Sequence, residues 1–384
     1  MKYLVIGDSN SMHIYNFVKT VLLPMGFEVH LLTLSILPLR EEYRSFYIEN
    51  NVTLHSVFEK NYKGLNKTDR VHRILNLLRK IWLMHDVPKV DICHVQSVYI
   101  TSLMMVLLNR RKFKRLILSY WGGDIEDRSE FLVKTRAKCF EFSDAITVTV
   151  QQTLNEFREL YGNKYDEKLH ICRFATNGLN CINELSQKVT REHCRECYNI
   201  PADKVCITCG YSAYAEQHQE QCLEEIQKLP EELRKKVFAI VPMQYGRFDQ
   251  AYIDKVEETK EKCDFDCVIL DEYVPFEMSA KLAIATDIYL HLRDTDAFSN
   301  ALKEHIYAGS KVITGEWLKY IELEQMEAPF ESISSIDCLT DALEKKLENF
   351  EADKEINLFQ PIYEMYSTEN IISQWKGIIN SALK

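Results

Sequence analysis

The chain has 384 residues, 46% hydrophobic and 27% charged, which is too long for one core and suits two water-soluble domains. Its formal net charge of −10 argues against nucleic acid as a partner, because a polyanion needs a basic surface. No apolar run reaches the roughly 18 residues that span a bilayer; the longest, Ile100–Leu108, is interrupted by Thr and Ser.

The first half alternates strands and helices. Tyr3–Gly7 reads as a buried strand rather than a signal peptide, because Asp8 cuts the apolar run. A helix is expected over Ser11–Leu23, then strands at Phe27–Thr33, Val52–Val57, Asp91–Val95, Leu116–Tyr120 and Ala145–Thr149, with a helix near Leu103–Leu108. In the second half, strands are expected at Val205–Thr208, Val237–Val241, Cys267–Leu270, Asp287–Leu292 and Lys311–Thr314. Helices fall at Leu223–Leu229, Ala251–Cys263, Met278–Ala285 and Thr368–Leu383. Such alternation means parallel sheets with helices on both faces.

Charge is divided unevenly. Residues 1–180 carry 25 Lys and Arg against 19 Asp and Glu, while 181–384 carry 22 against 38. A basic first half fits an anionic surface or acceptor. Within it, Lys63–Met84 sets Val71, Ile74, Leu75, Leu78 and Trp82 on one helical face and Lys67, Arg70, Arg73, Arg79 and Lys80 elsewhere. Asn109–Arg115 is a second basic cluster. The helix has two readings: it lies on an anionic membrane, or it faces the core with a solvated basic side.

Twelve cysteines without a secretion signal fit a reducing cytosol. Cys194 and Cys197, with Cys206 and Cys209, have zinc-ribbon spacing. The first pair has helical context and the second lies on a strand, where residues three apart face opposite ways. No metal and no cofactor is expected.

The most informative segment is Thr295–Glu304, followed by Gly309 and the Lys311–Thr314 strand. Asp296 and Glu304 bracket Ala297, Phe298, Ser299, Asn300 and Ala301. Ser299 or Asn300 can cap a helix whose free N–H groups form an anion site. Glu304, two turns along, can accept from a pair of hydroxyls. A diphosphate at the helix start and a ribose diol at Glu304 would be satisfied together. The segment resembles the acid-x7-acid motif of retaining glycosyltransferases of the GT-B fold, group 1 and family 4-like. There the first acid is usually Glu; here it is Asp296.

That resemblance implies two facing Rossmann-like α/β domains with parallel sheets: an acceptor domain over 1–180, a nucleotide-sugar domain over 181–365, and a helix over 366–384 returning to the first. It implies ligands at the carboxyl ends of the strands. In the first domain these are Ser9, Asn10 and His13 after the first strand, and Gly122, Gly123 and Asp124 after Leu116–Tyr120. Trp121 stands where many relatives have His. In the second domain they are Gly210, Ser212 and His218, with Tyr273 placed to stack on a base. The Arg and Lys that hold the diphosphate in relatives are missing; His218, Arg247 and Arg293 are the substitutes. Val241-Pro-Met-Gln-Tyr-Gly246, Gln250-Ala-Tyr-Ile-Asp254, Ile269-Leu-Asp-Glu-Tyr273 and Phe276-Glu-Met-Ser279 resemble segments of bacterial N-acetylfucosaminyltransferases acting on lipid II, over roughly residues 205–320.

The expected activity is sugar transfer from a nucleotide sugar to a glycan or polyprenyl-linked acceptor in surface polysaccharide assembly, with retention and without metal. Asp296, Arg293 and Asp124 are the catalytic candidates. The expected location is the cytoplasm, peripheral at the inner face of the membrane. Two other readings stand beside it: a nucleotide-sugar epimerase of the same fold, and a non-catalytic nucleotide-sugar-binding subunit.

Overall fold

The structure is a computed structural model describing the chain apart from residues 36, 59, 61–69, 122–123, 125–126, 273–274, 297, 349, 351–354 and 384, and apart from the side chains of Arg70 and Arg73. It divides into two compact units, Met1–Ala175 with Glu369–Lys384, and Thr176–Thr368. The division falls just before the helix Asn177–Leu185, which a boundary at 180 would cut.

The first unit holds β1 (Lys2–Gly7), β2 (Glu28–Thr33), β3 (Thr53–His55), β4 (Val90–Gln96), β5 (Phe113–Ser119), β6 (Ala145–Val148) and β7 (Leu169–Ile171). They form one sheet in the order β3-β2-β1-β4-β5-β6-β7, every described pair parallel. Successive side chains of β1 enter different cores: Leu4 and Ile6 one, Tyr3 and Val5 the other. Burial on both faces is why these strands read as continuous apolar runs. A polar chain crosses the buried sheet: Tyr3 Oη to His94 Nδ1 at 2.9 Å, His94 Nε2 to Ser119 Oγ at 2.7 Å, and Ser119 Oγ to Thr147 Oγ1 at 2.7 Å. The terminal helix, Thr368–Leu383, buries Ile371, Trp375, Ile378, Ile379 and Ala382. Trp375 packs on Phe17 at 4.8 Å and on His94 at 5.2 Å, between ring centres.

The second unit holds β8 (Val205–Cys209), β9 (Val237–Pro242), β10 (Asp266–Leu270), β11 (Ile288–His291), β12 (Lys311–Gly315) and β13 (Phe330–Ile333). Their order is β10-β9-β8-β11-β12-β13, again parallel. Buried Asp287 ties this unit together. It accepts from Arg191 and Arg195, both at 2.8 Å, and from the Cys206 N–H at 2.7 Å. Buried charge is tolerated here because it is paired and hydrogen-bonded.

Three details differ from the sequence expectation. The helix expected at Ser11–Leu23 is α-helical over Met12–Phe17 and π-helical over Val18–Leu22. The Thr20 hydroxyl donates to the Asn16 carbonyl at 2.7 Å, a local bond that competes with helical pairing. The edge strands β7 and β13 lie outside that expectation. The helix Arg70–Leu83 turns its apolar stripe to solvent, so the core-facing reading does not describe it.

Candidate functional site

In the second unit the loops after β8, β11 and β12 meet at the carboxyl end of the sheet, the ligand-binding edge of open α/β sheets. The loop after β8 turns at Gly210, whose φ of +66° places any Cβ 2.7 Å from Gln217 Oε1. Only glycine serves there. His218 adopts the left-handed conformation before the helix Gln219–Gln227, and its Nε2 lies 2.7 Å from Asp294 Oδ1. Arg293 donates to the Tyr211 hydroxyl and to the Glu216 carboxylate. Its carbonyl accepts from Trp317 Nε1 at 2.8 Å. These bonds lock the β8 and β11 loops together.

Asp296 is the hub of the second loop. Its Oδ2 accepts from the Ser299 N–H and the Tyr320 hydroxyl, both at 2.9 Å, and from His291 Nε2 at 3.1 Å. Arg293 Nη1 lies 3.6 Å from Oδ1. Burial would raise the Asp296 pKa; the His291 bond and charge, with Ser299 and Tyr320, outweigh it and bring it down to about 2. Phe298 follows at φ 64°, a conformation costly for an aromatic residue. Its ring is held against Tyr320 at 5.6 Å and Tyr366 at 5.3 Å.

Ser299 caps the helix Asn300–Tyr307, its Oγ accepting from the Leu302 N–H at 3.4 Å. The N–H groups of Asn300 and Ala301 sit at the open helix start. Asn300 Oδ1 accepts from Thr176 Oγ1 at 3.1 Å and Lys303 Nζ at 3.4 Å. The Lys303 ammonium lies over the rings of Phe298 and Tyr366, at 5.0 and 4.6 Å. One turn from the helix start, Glu304 lies against Gly178, where an added Cβ would be 2.0 Å from Glu304 Oε1. Burial pushes its carboxyl up to about 7, against the opposing charge of Lys303.

Three buried polar atoms of these loops have no partner among the described residues: Ser212 Oγ, Gln217 Nε2 and Arg293 Nε. Each costs about 1–3 kcal/mol if left unmatched, and a polar ligand would relieve them. The structure thus brings Arg293, Asp296, Phe298, Ser299, Asn300, Ala301 and Glu304 together with Gly210, Ser212 and His218. Tyr273 and Ala297 lie outside the described residues. Arg247 donates to the Met243 carbonyl at 3.2 Å. Sequence reasoning missed His291, Tyr320, Tyr211, Glu216, Lys303 and Gly178, of which only Lys303 stands in a motif. A charged residue directly inside an acidic motif was the available sign for Lys303.

In the first unit, Asp124 is turned to the backbone. Its oxygens accept from the Val98 and Trp121 N–H groups at 3.0 and 2.9 Å. That joins the loops after β4 and β5. Asn10 clips its loop to the next, donating to the Pro38 carbonyl at 3.0 Å and accepting from the Arg40 N–H at 2.9 Å. Ser9 is buried beside Thr33, whose Oγ1 accepts its N–H at 3.3 Å. His13 stacks on Phe174 at 4.2 Å and meets Trp121 edge-on at 5.7 Å. Trp121 Nε1 donates to Gln96 Oε1 at 3.2 Å. Gly122 and Gly123 lie outside the described residues.

No known family model matches the chain, and no curated protein matches it in sequence. Solved structures do. The chain is similar to HepE of Anabaena in complex with UDP and glucose, at 13% identity over 99% of this chain and 100% of that one, with a TM-score of 0.68. It is similar to sucrose-phosphate synthase of Thermosynechococcus elongatus, at 13% identity over 99% and 98%, with a TM-score of 0.72. It is also similar to an α,α-trehalose-phosphate synthase of Burkholderia xenovorans in complex with glucose-6-phosphate, at 10% identity over 100% of each, with a TM-score of 0.62. At this identity they show the fold: two parallel-sheet α/β domains of the GT-B type.

Proposed function

We propose that the chain is a glycosyltransferase that takes its sugar from a nucleotide-sugar donor bound by the second unit. The observation that carries this reading is Glu304. A half-buried carboxyl with room only because position 178 is glycine lies on a helix capped by Ser299, whose first N–H groups can meet an anion. Two ribose hydroxyls would satisfy the carboxylate while the diphosphate meets the Asn300 and Ala301 N–H groups. HepE, of the same fold, holds UDP and UDP-glucose in its structures, which supports a nucleotide sugar as the ligand class.

As the bond to the sugar breaks, the leaving diphosphate gains negative charge. The helix start would stabilise it, with Arg293 and Lys303 as nearby cations. Asp296 would act by holding the loop and the helix start in place, since its Oδ2 is already engaged by three protein donors. Retention of configuration and independence from metal belong to this proposal. So do a glycan or polyprenyl-linked acceptor on the first unit, a role in surface polysaccharide assembly and work at the cytoplasmic face of a membrane.

Calorimetric titration of the full chain with UDP, GDP and dTDP tests the donor site. One nucleotide should bind, and Glu304→Ala should weaken it by about 1–3 kcal/mol. Equal binding by a folded Glu304→Ala variant would remove the motif from the site. Release of nucleotide from the matching sugar nucleotide, accelerated by a lipid-linked acceptor, then tests transfer.

A further inference from the structure

One helix of the first unit is built inside out. Arg70–Leu83 exposes Val71 (64%), Ile74 (52%), Leu75 (39%), Leu78 (55%) and Trp82 (64%). Counted from Val71, these fall at steps of three, four, seven and eleven, one continuous face of an α-helix. The opposite side faces the protein: Asn76 is buried, Arg79 donates to its Oδ1 at 3.1 Å, and Ile81 and Leu83 join the core. A surface helix ordinarily points its polar side outward. Single exposed apolar residues need no explanation, but a five-residue stripe marks an interaction surface.

Charge identifies the partner. The helix carries no acid; of its cations, Arg79 and Lys80 lie toward the inner side. The first unit as a whole carries 27 Lys and Arg against 20 Asp and Glu, while the second carries 20 against 37. At the end of the stripe, Lys112 Nζ donates to the carbonyls of Met84, His85 and Val87 at 2.6, 2.9 and 2.7 Å. That fastens the neighbouring Leu108, Arg110 and Arg111, all exposed, to the same end of the helix. An apolar stripe with exposed Arg110 and Arg111 at its end, on a unit of net positive charge, suits an anionic lipid leaflet, where the apolar side chains enter the acyl boundary and the cations meet phosphates. A symmetric second copy would instead set basic helix against basic helix.

At 14 residues the helix is about 21 Å long. Among the described residues no helix is long and apolar enough to cross a membrane, so this one would lie flat. Its inner side is close to the loop after β1, since Asp8 acts electrostatically on Lys80.

We propose that the stripe Val71–Trp82 is an interfacial anchor that seats the first unit on an anionic lipid surface. It names the surface through which the lipid contact in the reading above would be made, but uses none of the donor-site chemistry. Vesicle binding can therefore hold where sugar transfer fails, and the reverse.

The test is co-sedimentation of the full chain with vesicles of phosphatidylcholine, with and without phosphatidylglycerol. A parallel measurement follows tryptophan quenching by brominated lipid. Wild type should bind only the anionic vesicles, and binding should fall with salt, since charge is screened over about 8 Å at physiological ionic strength. The triple variant Ile74→Ser, Leu78→Ser, Trp82→Ser should partition about tenfold less or weaker still. It should keep its melting temperature, because the three side chains are exposed. Phe131→Ser, at an exposed apolar position elsewhere in the unit, should bind as wild type. Trp82→Phe should remove the quenching and keep the sedimentation. Unchanged binding by the triple variant, or equal binding to neutral vesicles, overturns the proposal. So does a dimer that the triple variant loses while wild type ignores vesicles.

Discussion

Replacing Glu304 by Gln should stabilise the protein and weaken its grip on nucleotide. Burial raises the Glu304 carboxyl from 4.5 to about 7, so the folded protein resists its ionisation. A raised folded pKa gives a contribution that is complete below the unfolded value and is lost as pH rises through the folded one. At 1.36 kcal/mol per unit, wild type surrenders about 3 kcal/mol between about pH 4.5 and pH 8. The amide cannot ionise and keeps it. Thermal unfolding of both proteins across this range reads the difference directly, because every other titrating group is shared and cancels. The melting temperatures should approach each other near about pH 5 and diverge toward about pH 8, with the Glu304→Gln variant the higher. Nucleotide reverses the balance, since ribose hydroxyls donating to the carboxylate favour its ionised form. Affinity for the wild type should therefore rise with pH through about 7 with release of a proton, visible in titrations run in buffers of different ionisation enthalpy. The variant should show neither effect. A melting difference that stays flat with pH would mean that Glu304 is solvated and would take with it the explanation of the site.

Gly178→Ala should leave the fold intact and weaken nucleotide binding by about tenfold, because the new methyl displaces the Glu304 side chain rather than backbone; equal affinity by titration would show that the carboxyl has room to spare. Asp296→Asn should lower unfolding free energy by about 2 kcal/mol, the worth of a carboxylate held near 2 instead of 3.8, as read by urea denaturation; loss of turnover with stability untouched would place Asp296 on the sugar instead. His94 is kept neutral by burial, its pKa down to about 3 from 6.5, so its stabilisation is complete above 6.5 and fades as pH falls toward 3. About 2 kcal/mol should be gone by about pH 5, followed by the near-ultraviolet signal of Trp375, and His94→Asn should flatten that slope. Cys194, Cys197, Cys206 and Cys209 should hold no zinc, since Cys206 and Cys209 are buried in β8; elemental analysis finding one zinc per chain, lost on changing Cys194 and Cys206, would reverse this.

Local pattern carries much of this protein. The apolar runs at β1, β4, β8 and β11 are visible in the sequence because parallel strands are covered on both sides. The capped helix at Ser299 and its position after a strand follow from residue spacing alone, though Glu304 lies one turn from the helix start and not the two expected. The edge strands β7 and β13 did not show, because three or four residues at a sheet margin carry too little periodicity to separate from a loop.

Which elements meet is a different matter. Asp296 stands in the same motif whether or not His291 and Tyr320 reach it, and only the packed loops make it a three-donor acceptor. Nothing in the chain marks Gly178 as the neighbour of Glu304, across 126 residues, or predicts that burial will lift this carboxyl to about 7. The helix Arg70–Leu83 shows the division best. Its amphipathic period is in the sequence, but the same period fits a helix turned inward or outward. Docking on Asn76, Ile81 and Leu83 decided it, because orientation is a property of the surface a helix packs against and not of the helix itself.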